Sequence, residues 1–190
     1  MIRTGDTLQN PVTGEQLHFL KTAADTDGEY VLVEVTVEPN GSVAAAHVHP
    51  YQAETFEILE GAVCFKVGRK TILAAAGETV RIEAGTPHKF WNTGEHRARL
   101  RTEVRPALQF EQLIETMFTL AADGKTNRKG MPNPLRLAVI ANAHFDDVRL
   151  PFPPAWMQKV GLMLGAPLGR LLGFRATYEA AEPSDPSLAL

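Results

Sequence analysis

The sequence predicts a mainly β fold, a sandwich or barrel of short strands, followed by C-terminal α-helices. Two observations carry this expectation. Up to residue 106, short apolar-patterned runs alternate with glycine-containing turns, as in a closed or layered antiparallel sheet. After Pro106 the apolar residues recur at intervals of three and four, the period of a helix.

In chain order, an edge strand is expected at Gln16–Leu20. Tyr30–Val37 reads YVLVEVTV, with Val31, Val33, Val35 and Val37 on one face, and Asn40-Gly41 ends it with a turn. Shorter strands are expected at Thr55–Leu59, Ala62–Val67, Lys70–Leu73, Thr79–Ile82, His88–Asn92 and Ala98–Val104, with Gly61, Gly68, Gly77, Gly85 and Gly94 in the turns between them. The first helix is predicted over Ala107–Ala122, with Gly124 as its stop. Asn133-Pro134 gives an N-cap followed by proline at the first helical position, opening a second helix to about His144. A third starts at Pro153-Pro154 and runs toward Gly165 or Gly173, kinked by Pro167. Its glycines at 161, 165, 169 and 173 share one face, which suits close packing on the barrel or a neighbouring helix, with a dimer contact as the alternative. The organisation expected is a barrel with N-terminal strands over 1–106, a helical extension over 107–181 that packs on the barrel or a dimer partner, and a disordered tail over 182–190.

Composition excludes several classes. With 44% hydrophobic and 22% charged residues, the chain has the balance of a soluble globular protein able to bury a core. Nineteen Lys and Arg against 22 Asp and Glu give a net charge of −3, which argues against a nucleic-acid partner. The single cysteine, Cys64, permits no intrachain disulfide and fits a reducing cytoplasm. The N-terminus lacks the apolar core of a signal peptide, and the stretch from Val160 to Phe174 is too short and interrupted for a membrane span.

The chemistry-bearing residues lie in the β half. His47 and His49 are two apart in an expected strand, so both imidazoles leave one face. Glu54 opens the next strand on a face shared with Phe56 and Ile58. His88 opens a later one on a face shared with Phe90 and Asn92. If that common face lines the inside of a small barrel, three imidazoles and a carboxylate converge. Buried together without a partner they are costly, and a divalent cation resolves the cost. Imidazole suits Zn, Fe, Cu and Ni, and the carboxylate also admits Mn.

These segments resemble the two motifs of the cupin superfamily. The first, from Gly41 through His47, His49 and Glu54 to Gly61, matches every fixed position. The second matches at Gly77, Gly85, His88 and Asn92, but Glu83 stands where the family has proline. The resemblance covers about residues 30–105. It implies a double-stranded β-helix (jelly-roll) barrel that often dimerises, with His47, His49, Glu54 and His88 as ligands of one divalent metal. Fe or Mn is favoured for catalysis, while Zn or Ni binds where availability decides. The function implied is a metal-dependent dioxygenase or isomerase acting on a small organic molecule, with Glu54 doubling as a base. The alternative is a non-catalytic small-molecule or metal-sensing barrel, disfavoured because no helix-turn-helix accompanies it.

Further pocket candidates are Tyr51, Phe56, Phe90, Trp91 and Asn92. Arg101 and Glu103, alternating with Leu100, Thr102 and Val104, would hold an anionic substrate if they faced inward, although a solvated outer face is the simpler expectation. The helices after the barrel are candidates to close over its mouth and exclude water. Cys64 is expected to be inert, and Glu57, Glu60, His18 and His96 to lie at the surface.

Overall fold

Strict alternation turns the first half of the chain into sheet. A computed structural model describes residues 1–179, so the tail expected at 182–190 lies outside the described residues. In β3 (Val31–Val37) the four valines are buried while Leu32, Glu34 and Thr36 are half-buried, giving one face for a core and one for water. On one side β3 pairs with β2 (Glu15–Lys21), which pairs with β1 (Thr7–Asn10). On the other it pairs with β9 (Ala98–Arg105), beyond which lie β4 (Ala53–Glu60) and β7 (Thr79–Ile82). The second, three-stranded sheet runs in the order β6 (Lys70–Ala75), β5 (Ala62–Val67), β8 (His88–Trp91). All these pairs are antiparallel.

The inner faces of the two sheets close on each other. Phe56 from the larger sheet meets Phe65 and Phe90 from the smaller, with ring centroids 5.1 and 5.8 Å away. Burying each such ring contributes about 1.5–3 kcal/mol. The outer face of β9 carries exposed ion pairs, Arg101 with Glu57 at 3.1 Å and Arg105 with Glu103 at 3.0 Å. Solvent screening leaves pairs of this kind about 0–1 kcal/mol each.

Three helices follow. Helix α1 (Phe110–Ala122) stops where Gly124 takes φ +67°, which lets the Lys125 N–H reach the Leu120 carbonyl at 2.8 Å. Helix α2 (Pro134–Ala143) is capped by the Asn133 side chain, which accepts from the Arg136 N–H. Helix α3 (Ala155–Leu171) passes through Pro167 instead of ending at Gly165. Gly173 terminates it with φ +82°, the Phe174 N–H bonding back to the Gly169 carbonyl.

The glycine stripe therefore does two different jobs. A β-carbon at Gly169 would lie 2.6 Å from both the Leu135 carbonyl oxygen and the Val139 side chain, so α2 and α3 touch there, whereas one at Gly161 would meet nothing. The outer side of α3 leaves Trp156, Met163, Leu164 and Leu171 exposed. Among the described residues, no helix is long and apolar enough to cross a membrane.

Candidate metal centre

Four side chains from three places in the chain converge. Glu54 lies at the start of β4, His88 at the start of β8, and His47 and His49 on the segment between β3 and β4. One ligand atom from each lies within 4.8 Å of all the others. The two histidines do not lie on a continuous strand as the sequence suggested. Only isolated bridges form, His47 to His88 and Val48 to Arg149, and Pro50, which lacks an N–H, follows directly. The convergence is nevertheless fixed from the backbone. His47 and His88 exchange two main-chain hydrogen bonds of 2.9 Å, and the Gly85 N–H donates to the His49 carbonyl at 2.8 Å. Gly85 reaches this position with φ +78°, a conformation glycine adopts without strain.

Each imidazole is oriented by its outer nitrogen. Nδ1 of His47 lies 2.9 Å from the Ala45 carbonyl, Nδ1 of His88 2.9 Å from the Thr86 carbonyl, and Nδ1 of His49 2.7 Å from the Asp147 carbonyl. A carbonyl can only accept, so each ring carries its proton on Nδ1 and presents the Nε2 lone pair to the centre. This is how protein-bound metals have their histidines held. Nε2 of His88 and Oε2 of Glu54 are buried and 2.6 Å apart, yet they are not aligned as a hydrogen bond. Both point toward a shared centre. The donor set fits a divalent cation.

For His47 and Glu54 the electrostatics agree. Burial, reinforced by His49 and His88, pushes His47 down to about 3, so it is a neutral ligand at physiological pH. Burial opposes ionisation of Glu54, but His49 and His88 outweigh it and hold the carboxyl at about 2. Burial likewise opposes protonation of His88, and the Glu54 carboxylate reverses this and raises it.

The centre opens into a cavity of about 1210 Å³. Leu17, Val33, Val35, Phe56 and Phe90 line it from the barrel. Phe110, Ile114 and Met117 of α1, Leu137 and Ile140 of α2, and Met157 and Leu162 of α3 line it from the helices. Of the pocket candidates from the sequence, Phe56 and Phe90 reach this wall and the others do not. Tyr51 is 62% exposed and Trp91 packs elsewhere, under the Lys89 ammonium. Asn92 is buried, but its amide donates to the Val37 and His96 carbonyls and so ties loops together. Arg101 and Glu103 face outward, because Leu100, Thr102 and Val104 take the inner positions of β9. Glu83, at the family's proline position, is exposed and pairs with Arg81 at 2.6 Å. Cys64 is half-buried, and His18 and His96 are exposed. Sequence reasoning missed Gln52, Asp147 and Glu15. Gln52 is buried with Oε1 3.0 Å from His49 Nδ1, and its amide donates to the Pro106 and Ala107 carbonyls.

Residues 33–104 match the cupin domain family. Those residues form a cupin domain. A curated relative of this chain, quercetin 2,3-dioxygenase of Bacillus subtilis (strain 168), is 31% identical over 107 residues, or 56% of this chain; the chain spans about a third (31%) of that protein's length. Two solved structures are similar. A predicted oxalate decarboxylase from Thermotoga maritima has 19% identity and a TM-score of 0.49, covering 56% of this chain and 98% of its own. An RmlC-like cupin from Shewanella frigidimarina has 14% identity and a TM-score of 0.48, covering 56% of this chain and 88% of its own. The family match ends before α1, so the helices that wall the cavity lie beyond it.

Proposed function

We propose that this protein is a metal-dependent oxidoreductase of the dioxygenase type, acting on a small, mainly apolar organic molecule that offers oxygen atoms to the metal. The observation that carries the reading is the opening of a three-imidazole, one-carboxylate centre into a large apolar cavity. Bound iron or manganese would supply a Lewis acid with access to one-electron chemistry. The chain's own residues do the rest. His47, His49 and His88 hold the centre through fixed Nε2 lone pairs, and Glu54, kept ionised, balances its charge and is the carboxylate placed to take a proton from a bound substrate. Residues of α1–α3 wall the cavity into which the centre opens, and would limit the water that reaches a bound substrate. An isomerase working on a hydroxyl-rich sugar fits less well, because a wall this apolar leaves such hydroxyls without partners. The name of the Bacillus subtilis relative points the same way.

The test is to purify the protein without a metal-affinity tag and measure bound metals by mass spectrometry beside a His47→Ala/His49→Ala control. Near-stoichiometric iron or manganese, absent from the control, together with oxygen uptake on phenolic or diketone substrates, is the expected result. Metal without oxygen uptake would favour a binding barrel over an enzyme. Equal metal in both proteins would remove the metal reading altogether.

A further inference from the structure

Among the described residues, the cavity wall holds one carboxyl that the metal centre does not use. Glu15 opens β2 on the inner face of the sheet, with Leu17 and Phe19 beyond it, and is 6% exposed. Its side chain lines the same cavity as His47, His49 and Glu54, but at the opposite end of the sheet. Glu15 pairs across from Val37, whereas Glu54 shares a row with Val104 and Val31. From Val31 to Val37 is six residue steps, about 20 Å along β3. Between the two ends the wall is Val33, Val35, Leu17 and Phe56, relieved by the Thr102 hydroxyl, which is buried without a hydrogen-bond partner.

Among the described residues, no cationic side chain neutralises this carboxyl. Burial pushes it up to about 7, against the lowering effect of the Thr13 hydroxyl beside it. The cations in the cavity wall are engaged elsewhere: Lys125 with Asp123, Arg136 over the Phe174 ring, and Arg149 over the Phe145 ring. A buried carboxyl without an ionic partner weakens a fold, and a ligand that completes its hydrogen bonds offsets that cost.

We infer that Glu15 is a ligand-binding residue that accepts a hydrogen bond from a hydroxyl at the far end of an elongated, mainly apolar molecule whose oxygen-bearing head lies at the four-residue centre. The head-group part rests on the proposed metal reading; the Glu15 part does not. One end of the ligand meets the centre, its apolar body lies along β2, β3 and α1, and its tail hydroxyl replaces water at Glu15. An aliphatic or aromatic chain ending in a methyl group would instead leave the carboxyl unsatisfied, so the site discriminates by the terminal hydroxyl.

Calorimetric titration with hexadecanoate and 16-hydroxyhexadecanoate tests this, since the two probes differ only in that hydroxyl. The wild-type protein is expected to bind the hydroxylated probe about tenfold more tightly, the usual consequence of pairing or orphaning one buried polar group. Glu15→Leu should erase the preference with metal content unchanged, and Glu15→Gln, which keeps an acceptor, should retain most of it. The His47→Ala/His49→Ala protein should bind both probes more weakly yet still prefer the hydroxylated one, which separates failure of the metal reading from failure of this one. Equal affinities in the wild type, survival of the preference in Glu15→Leu, or no binding of either probe would overturn the inference.

Discussion

Glu15 ties the stability of the barrel to pH in a direction opposite to that of most surface carboxylates. Its pKa rises from 4.5 to about 7 on folding, so the folded state favours the protonated acid. Below about pH 4.5 both states hold the proton and there is no penalty. As pH climbs toward 7 the unfolded chain releases its proton first and stability falls, and above 7 the loss is complete, at about 3 kcal/mol from the size of the shift. Urea unfolding of the wild type and of Glu15→Gln at pH 5 and pH 8 should show the variant gaining relative stability at the higher pH. Parallel behaviour at both values would mean that the carboxyl is solvated after all. The convergence of the four candidate ligands was legible in the sequence because each lies in a short motif of fixed spacing, His47, His49 and Glu54 in one and His88 in the other. Glu15 was legible in principle, since Glu15, Leu17 and Phe19 alternate on one face, but the expected strand began one residue later. Asp147 was not legible. It reaches His49 across 98 positions through a main-chain carbonyl, an atom that every residue type supplies.

At the scale of elements, the period of the pattern decided what could be read. Strands with strict alternation, such as β3 and β9, and helices with cap signals, such as Asn133-Pro134, appear where the sequence placed them. The segment carrying His47 and His49 does not pair as a strand, because its partners are single bridges supplied by β8 and by Arg149, far along the chain. The glycine stripe of α3 shows what spacing leaves undecided: four glycines share a helical period, but contact with α2 separates them. Gly169→Ala should cost about 1–3 kcal/mol, because its methyl would overlap the Leu135 carbonyl and the Val139 side chain. Gly161→Ala, with no atom in reach, should stabilise by about 0.5–1 kcal/mol through helix propensity alone. Thermal unfolding of the two variants checks both signs. Equal effects would mean that α2 and α3 are not in contact at this point.

Over the whole molecule, the helical segment does more than roof the barrel. Val48 and Arg149 exchange two main-chain hydrogen bonds, at 2.8 and 3.0 Å, and Asp147 beside them holds His49 at 2.7 Å. Asp147 is itself fixed, its carboxylate 2.9 Å from Nδ1 of the fully buried His144 and accepting the Gln109 N–H at 3.1 Å. A chain of contacts thus runs from the start of α1 through the α2–α3 connection to one ligand of the centre. The barrel supplies the donors, and the segment after it sets the angle of one of them. Arg149→Pro removes the N–H that bonds Val48 and should lower metal affinity by about 10- to 100-fold, the usual effect of disturbing a ligand's outer hydrogen bond. Arg149→Ala keeps the backbone bonds, loses only the guanidinium over Phe145, and should leave affinity near that of the wild type. Competition against a chelator of known affinity measures both. Equal loss in the two variants would place the effect in the arginine side chain, and no loss in either would mean that the barrel orients His49 without the helices.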